Sequence, residues 1–241
     1  MQIGLDYETG WLMQIAQDAE VIFDVGCNIG QTAVLLHAFS QANEIYLFEP
    51  NPYALAICAE NTILNGFADK TRFYNNCVSN ISGKEMKFHT ALSGAAGSIY
   101  PDFAKTASRL GENYLVNSIT LDEIVAKKVV IPDLVKIDVE GHEYQVLSGS
   151  RDLARRKKTK FFVEMHSSPG LTMMENGDKV IQWAREYEFK VIYLSEMIFL
   201  KDALPIKDRG RCHLLLVPSD YDDIAPELKS IRQNTFPDNL L

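Results

Sequence analysis

The chain has 241 residues, of which 46% are hydrophobic and 23% are charged, and its formal net charge at pH 7 is −8. This composition is typical of a globular protein, and we expect one domain. The negative charge argues against nucleic acid as the main partner, because phosphate binding needs a clustered cationic face. No apolar run reaches the about 18 residues of a membrane span, and no signal region opens the chain, so we predict a cytoplasmic protein.

The cysteines and the single basic cluster carry no evident chemistry. The cysteines are widely spaced and form no CxxC pair, which argues against a zinc knuckle or a disulfide framework. They are Cys27, Cys58, Cys77 and Cys212. The basic run "RRKK" at 155–158 falls near the end of a predicted helix, where cations complement the helix dipole.

Short apolar runs that are typical of strands alternate with longer segments of helical period. The predicted strands cover residues 20–25, 44–49, 71–76, 133–138, 160–165, 189–194 and 212–217. The predicted helices cover about 31–40, 52–65, 143–156 and 176–188, with an opening helix within 7–19. This alternation predicts a doubly wound α/β domain, in which a mainly parallel sheet is covered on both faces.

Two segments interrupt the alternation. Between "MKFH" (86–89) and "SITLDEI" (118–124) lies a stretch with several glycines and little periodicity. It is too long for an ordinary connection, and we predict a candidate substrate lid over 90–117. The C-terminal residues 219–241 contain two prolines and no strand pattern, which is compatible with a short helix or a loose tail.

The first candidate site is "FDVGCNIGQTAVLL" (23–36), a strand that runs into a glycine-bearing turn and then a helix. Gly26 and Gly30 allow the backbone to approach a ligand, and the helix N-terminus presents free amides. The next strand ends at Glu49, 19 residues after Gly30, near the spacing at which an acid binds two ribose hydroxyls. The pattern predicts a nucleotide-like cofactor.

The turn also discriminates between two cofactors. Dinucleotide-binding turns carry GxGxxG, whereas this turn lacks the middle glycine and begins with Asp24. An acid beside a pyrophosphate is unfavourable, but it favours a cationic ligand with an amino group and a sulfonium. S-adenosylmethionine is therefore the better fit, and a nicotinamide-dependent oxidoreductase is the competing prediction.

Six motifs together resemble the FkbM-type S-adenosylmethionine-dependent methyltransferases. They are "DVGCNIG", "FEPNP", "ENTILN", "SITLDEI", "LVKIDVEGHEYQVLSG" and "FVEMHS". The resemblance covers roughly residues 20–218, so 1–19 forms an N-terminal helix region and 219–241 a tail. It implies the class I methyltransferase fold, a Rossmann-like seven-stranded sheet whose last strand is antiparallel. It also implies methyl transfer to hydroxyls of sugars or polyketides.

The resemblance further implies a set of cofactor contacts. Asp24, Gly26, Asn28 and Gly30 are expected on the methionine and ribose side, and Glu49 at the ribose hydroxyls with Pro50 and Asn51 beside it. Asn76, Cys77 and Val78 are expected at the adenine edge.

The segment "VKIDVEGHEYQVL" (135–147) crowds three acids and a histidine into one turn, next to a strand end where α/β sheets bind ligands. Asp138 is expected to face the transferred methyl group or to hold the cofactor's amino group. The catalytic candidates are Asp138, Glu140, His142, Glu164 and His166. Histidine has the most suitable pKa for a base, so we predict His142 or His166, oriented by Asp138 or Glu164. Glu143 is interpreted as a first-turn acid that complements a helix N-terminus.

Three alternatives stay open at this point. A divalent metal at the acidic turn would relieve the charge crowding and activate the acceptor hydroxyl, although imidazole is an unusual magnesium ligand, and we do not expect a metal. The acceptor is a small molecule or glycan, with a sugar hydroxyl preferred over a polyketide or other small metabolite. A methyltransferase-like binding module without turnover is the non-enzymatic alternative. The sequence carries no signal for the oligomeric state.

Overall fold

The computed structural model describes residues 7–90, 97–100, 113–168, 170–221 and 223–231. In chain order the strands of these ranges are β1 (Val21–Val25), β2 (Glu44–Phe48), β3 (Thr71–Tyr74), β4 (Cys77–Val78), β5 (Glu85–Thr90), β6 (Gly97–Ser98), β7 (Asn113–Ile119), β8 (Leu134–Ile137), β9 (Lys160–His166), β10 (Phe189–Tyr193), β11 (Ile198–Leu200) and β12 (Arg211–Pro218). The helices are α1 (Tyr7–Ala16), α2 (Gln31–Phe39), α3 (Pro52–Leu64), α4 (Leu121–Lys128), α5 (Glu143–Ser148), α6 (Arg151–Arg155), α7 (Met173–Glu186) and α8 (Pro226–Ser230).

The main sheet has eight strands in the order β11-β10-β12-β9-β8-β1-β2-β3. The β1, β2, β3, β8 and β9 strands are parallel, and β12 runs antiparallel to both β9 and β10. The predicted fold is confirmed, including the antiparallel last strand. Strand β11, which pairs with β10 at the sheet edge, is an addition that the sequence analysis missed. The carboxyl ends of the parallel strands therefore meet along one edge.

Two apolar layers cover the sheet, because successive strand residues point to opposite faces. Ile22, Leu134 and Phe162 pack with α1, α2 and α3, whereas their neighbours such as Phe23 and Val135 pack with α4 to α7. Both layers are buried, and each of these five residues is at most 2% exposed to solvent. The charged side chains of the strands are therefore exceptions that need partners.

Helix 143–156 was predicted as one element, but the structure divides it into α5 and α6. The break follows from a close approach of two backbones: a Cβ on Gly149 would lie 2.1 Å from the carbonyl oxygen of Ser79. Helix α7 begins at Met173 rather than 176, since Thr172 and Glu175 form a capping box there. The basic run at 155–158 lies at the end of α6, as predicted.

A smaller sheet with the order β4-β7-β5-β6 lies beside the main one. Strand β7 corrects the prediction of an aperiodic stretch over 90–117, because 113–117 pairs antiparallel with β5. Residues 91–96 and 101–112 of the predicted lid lie outside the described residues. In the tail, α8 is a short helix, and Ile224, Leu228 and Ile231 join the core beside α1. No helix in the described part of the chain is long and apolar enough to cross a membrane.

Candidate active site

The glycine turn after β1 touches the turn after β8. Gly26 has φ +86°, and a Cβ at this position would lie 1.8 Å from the carbonyl oxygen of Asp138. Gly30 has φ +84°, and its Cβ would lie 2.5 Å from Cys58 Sγ. Both positions need glycine for conformation and for space. The glycines thus bring the backbone of this turn against the acidic turn.

Glu49 follows β2 and lies beside the glycine turn. Its carboxylate accepts hydrogen bonds from the backbone N–H groups of Asn28 (3.0 Å) and Asn51 (2.9 Å). Burial raises the pKa of Glu49 to about 7, although these two backbone hydrogen bonds lower it. Each oxygen retains a lone pair, so the carboxylate can accept two further hydrogen bonds from a ligand.

A cleft, here called the central cleft, opens in front of Glu49. Its volume is about 720 Å³, including the part that is open to solvent. Its lining residues are Val25, Gly26, Asn28, Phe48, Glu49, Pro50, Asn51, Asn76, Cys77, Val78, Phe88, Thr90, Gly97, Ile99, Asp138, Val139, Glu140 and His142. This volume suits a nucleoside-sized ligand. Nine of the residues expected around a cofactor meet here.

Asp24 and Gly30 are the two expected cofactor residues that do not line the central cleft. Asp24 is fully buried, and its Oδ1 lies 3.2 Å from Lys136 Nζ. Burial raises the pKa of Asp24, and Lys136 opposes this shift. Its charge is therefore met inside the protein, and the argument that Asp24 attracts a cationic ligand is not supported.

The remaining predicted cofactor residues are held by local contacts. Asn51 caps α3 by accepting from the backbone of Tyr53 and Ala54, while its Nδ2 donates to Thr90 Oγ1 at 3.2 Å. Asn76 Nδ2 donates to the Asn117 carbonyl at 3.0 Å. Cys77 and Val78 form the buried strand β4. These contacts fix one wall of the central cleft.

The acidic turn finds positive partners within the chain. Lys136 Nζ lies 3.4 Å from Asp138 Oδ2 and 3.2 Å from Asp24 Oδ1. Burial lowers the pKa of Lys136, but Asp24, Asp138 and Glu164 raise it more, so that it stays charged. On the other side of the turn, His166 Nε2 lies 3.6 Å from Glu140 Oε2. The charge crowding evident in the sequence is thus offset without a ligand.

His166 is the centre of a buried network. Its Nδ1 lies 2.9 Å from Glu143 Oε1, and the same carboxylate accepts from Gly141 N and Asn176 Nδ2, each at 2.9 Å. Burial lowers the pKa of His166, but hydrogen bonds and charges from Glu143, Glu164 and Glu140 raise it to about 11. Glu143 does stand in the first turn of α5, as predicted, but its carboxylate also links His166 to Gly141 and Asn176.

His142 occupies the opposite kind of environment. Its Nε2 lies 3.0 Å from Ser79 Oγ, its Nδ1 lies 3.5 Å from the Tyr100 hydroxyl, and burial lowers its pKa to about 4. A neutral, weakly basic His142 and a protonated His166 are both poor proton acceptors near pH 7. Neither pKa favours a base near neutrality, and the assignment of one of them as the base stays a prediction.

A second cleft, here called the polar cleft, opens between α1, α2 and the main sheet. Its lining residues are Glu8, Thr9, Leu12, Met13, Gln31, Thr32, Leu35, Lys136, Asp138, Glu140, Phe162, Glu164, Arg211 and His213. Asp138 and Glu140 line both clefts. Glu140 stands at φ +49°, a conformation that non-glycine residues rarely adopt and that is often found at functional sites.

Glu164, the predicted orienting acid, faces the polar cleft. It lies 3.1 Å from Arg211 Nη1, 3.4 Å from His213 Nε2 and 3.4 Å from His166 Nε2. Burial raises the pKa of Glu164, but the neighbouring imidazoles of His166 and His213 lower it further than burial raises it. Glu164 is therefore a firmly ionised partner of cations rather than a proton acceptor.

Within the described part of the chain, two groups of side chains have the spacing of metal ligands. The donor atoms of Asp138, Glu140 and His166 lie within 4.8 Å of one another, as do those of a second group, Glu8, Glu164 and His213. In each group a cation of the protein already faces the carboxylates, Lys136 in the first and Arg211 in the second. The charge argument for a metal is therefore weaker than the sequence suggested.

Comparison with known proteins decides the family. Residues 24–191 match the family profile described as "Methyltransferase FkbM domain". The chain belongs to the FkbM methyltransferase family. It is 29% identical over 163 residues to the hexuronic acid methyltransferase AglP of Haloferax volcanii, covering 65% of this chain and 60% of that protein. It is 24% identical over 207 residues to the 31-O-demethyl-FK506 methyltransferase FkbM of Streptomyces tacrolimicus, covering 75% and 76%.

The fold agrees with this assignment. The crystal structure of methyltransferase FkbM from Methylobacillus flagellatus KT superposes with a TM-score of 0.55 at 14% identity, covering 88% of this chain and 48% of that one. At this identity the likeness concerns the fold alone.

Sequence analysis missed several residues of this FkbM family site. Lys136, Asn176, Arg211 and Glu8 were not singled out. A lysine inside the apolar strand "LVKI" was a usable signal, because a buried ammonium needs a paired acid. Asn176, Arg211 and Glu8 carry no such signal, since their roles depend on contacts with residues that are distant in the chain.

Proposed function

We propose that this FkbM family member transfers the methyl group of S-adenosylmethionine to a hydroxyl of a sugar or glycan. The observation that supports this most is the meeting of two clefts at Asp138 and Glu140. One cleft has the size and the ribose-binding acid for a nucleoside, and the other is lined by hydrogen-bonding groups. A methyl donor and an acceptor need this arrangement, because their reacting atoms must meet in line.

The proposed cofactor contacts follow from the lining of the central cleft. Glu49 accepts the two ribose hydroxyls, and Gly26 and Asn28 lie along the ribose and methionine. Asn76, Cys77 and Val78 form the adenine edge. Pro50 and Asn51 hold Glu49 in place, and Asp138 faces the methionine amino group. S-adenosylmethionine, when bound, supplies an electrophilic methyl group on a sulfonium.

We infer that Glu140 accepts the acceptor's proton. Its carboxylate borders both clefts, and burial raises its pKa, although His166 opposes the shift. The acceptor hydroxyl would lose its proton to Glu140, and its oxygen would then take the methyl group that S-adenosylmethionine would supply, leaving a neutral thioether as the other product. His166, held by Glu143, stabilises the Glu140 carboxylate before the transfer and acts as a positioning residue.

Polarity supports an acceptor rich in hydroxyls, and one relative, named for an anionic sugar, supports a sugar ring but not its charge. The polar cleft presents many hydrogen-bond acceptors to a ligand rich in hydroxyl donors. The relative AglP is named for a hexuronic acid, while the relative FkbM is named for a demethylated FK506, so a small hydroxylated metabolite is the second candidate.

Mass spectrometry with methyl-labelled S-adenosylmethionine tests the proposal. The purified chain is incubated with nucleotide sugars, lipid-linked and polymer-bound glycans, hydroxy acids and a polyketide. We expect label on a sugar oxygen. Turnover only with the polyketide, label on nitrogen or carbon, or binding of S-adenosylmethionine without transfer to any acceptor would contradict it. Glu140→Gln is expected to abolish turnover and retain cofactor binding, whereas the exposed Glu196→Gln keeps both.

A further inference from the structure

A row of ionisable side chains lies on one face of the main sheet, at the edge where the parallel strands end. Asp24 on β1 is in register with Lys136 on β8, and Glu164 on β9 with His213 on β12. Each residue lies two positions along its strand from an apolar residue that packs under α1 and α2, namely Ile22, Leu134, Phe162 and Leu215, so all four side chains share that face. Lys136, Glu164 and His213 of this row form the floor of the polar cleft, and the fully buried Asp24 pairs with Lys136.

The wall of the polar cleft is attached to this floor by one cation. Arg211 Nη2 lies 2.7 Å from Glu8 Oε1 on α1, and Arg211 Nη1 lies 3.1 Å from Glu164 Oε1. The guanidinium therefore bridges helix α1 to the sheet at the cleft. Thr9 on α1 and Thr32 on α2 add hydroxyl groups to the same wall.

The charges of this cleft are paired with one another. Asp24 pairs with Lys136, and Glu8 and Glu164 pair with Arg211. An anionic ligand would have to withdraw a cation from these pairs and leave a carboxylate without its partner, which is costly in a partly buried site. A hydroxyl donor does not need to displace a cation, since a carboxylate in an ion pair still has lone pairs that accept hydrogen bonds.

One buried group points independently to a ligand. The His213 side chain is 94% buried and lines the polar cleft, yet among the described residues its Nε2 has no hydrogen-bond partner. The nearest charged atoms, Glu164 Oε2 and Glu8 Oε1, lie at 3.4 and 3.6 Å. A buried polar atom of this kind is usually satisfied when its partner arrives.

We propose that the polar cleft is the acceptor subsite, that it takes an uncharged polyhydroxylated ring, and that Arg211 and Glu8 determine this specificity. The inference rests on the proposed function, since it names the acceptor class of the same site. The hydroxyls of the ring donate to Glu8 and Glu164 and satisfy His213 Nε2, and the Arg211 bridge keeps α1 closed against the sheet.

Binding of two matched glycosides tests the ligand class. The full chain, saturated with S-adenosylhomocysteine, is titrated with methyl α-glucopyranoside and with methyl α-glucopyranosiduronate, and backbone amide NMR signals are followed. We expect the neutral glycoside to shift the signals of α1 and of the ends of β9 and β12. We expect the Kd of the uronate to be at least about tenfold higher, which is the change in Kd that the loss of one charged contact produces. Shifts elsewhere, no shift with either probe, or tighter binding of the uronate overturns the proposal.

Two variants and two controls test the residues. Arg211→Gln and Glu8→Gln are compared with Arg209→Gln and Glu196→Gln. This control pair lies outside the polar cleft, its charged atoms lie 3.6 Å apart, and Arg209 is about as exposed as Arg211. In the first two variants we expect the glycoside Kd, and the KM of the acceptor found by mass spectrometry, to rise about tenfold. The Kd of S-adenosylmethionine stays within about twofold in all four. Equal effects in both pairs overturn the assignment.

Different results would contradict the acceptor subsite and the proposed function. If the wild-type chain methylates a sugar oxygen while Arg211→Gln and Glu8→Gln change neither KM nor the glycoside Kd, the acceptor subsite is wrong and the proposed function stands. If the wild-type chain methylates no hydroxyl in the panel, the proposed function itself is wrong.

Discussion

The central cleft and the polar cleft share Asp138 and Glu140 but are built by different means. The central cleft is shaped by turns that follow consecutive strands, by glycines that remove side chains, and by backbone amides on Glu49. The polar cleft is assembled from α1, α2, β8, β9 and β12, and ion pairs between these distant elements hold it together. One cleft depends on close backbone approach and backbone hydrogen bonds, and the other on pairing between charged side chains.

This difference separates the two tasks that a transferase performs. In the proposed function the central cleft binds the cofactor through turn residues. The polar cleft binds the acceptor through side chains from separate elements, which can be substituted without altering the glycine turn. The two halves of the site are therefore expected to respond differently to substitution.

The largest effect is expected where the polar cleft meets the core. Lys136→Met leaves Asp24 buried without its cation, and we expect the free energy of unfolding to fall by about 3–5 kcal/mol. Urea unfolding measures it, with the exposed Lys128→Met as the control. The double variant Asp24→Asn with Lys136→Met should recover much of the loss, because no uncompensated charge remains. A loss below about 1 kcal/mol would mean that the pair is not coupled.

In the central cleft the expected effect is on binding rather than on stability. Glu49→Ala should weaken S-adenosylmethionine binding by about 1.5–3 kcal/mol, the range for hydrogen bonds to a charged group. Calorimetry on the folded variant measures it, with Glu60→Ala on the exposed face of α3 as the control. Because the pKa of Glu49 is about 7, wild-type affinity should rise as pH increases through 7, and this rise should be absent in the variant. Unchanged affinity would remove Glu49 from the site.

The pKa values of the two histidines should be shifted in opposite directions from the usual value of 6.5. His142, with a pKa of about 4, contributes stability above pH 6.5 that is lost as pH falls through 4. His166, with a pKa of about 11, contributes stability below pH 6.5 that is lost as pH rises through 11. At pH 7.5, histidine side-chain NMR should show His142 neutral and His166 protonated. Titration of both near 6.5 would contradict the buried networks.

The smallest effect is expected from metal removal. Since Lys136 and His166 already face the carboxylates of the acidic turn, exhaustive dialysis against EDTA should leave methyl transfer unchanged. Activity is measured before and after dialysis, and again with magnesium or manganese added back. A loss that either ion restores would establish metal dependence and make the acidic turn its ligand set.

The order of elements could be predicted because each strand and most helices are signalled by residues close in sequence. Apolar runs of strand length, glycines at 26 and 30, and an acid at the end of β2 are all local patterns. Errors arose where a distant contact decided the outcome. Gly149 breaks a helix because Ser79 lies against it, and 113–117 becomes a strand because β5 lies alongside.

The sequence by itself determined the fold class, the glycine turn, the position of Glu49 and the concentration of acids near Asp138, since each is written in residues that are neighbours along the chain. Only the tertiary structure decided which charges meet. It places Asp24 against Lys136 instead of a ligand, gives His142 and His166 opposite protonation states, and brings Glu8 and Arg211 together across 203 positions of sequence. The physical reason is that a pKa and an ion pair depend on burial and on distances of a few ångströms, which no spacing along the chain specifies.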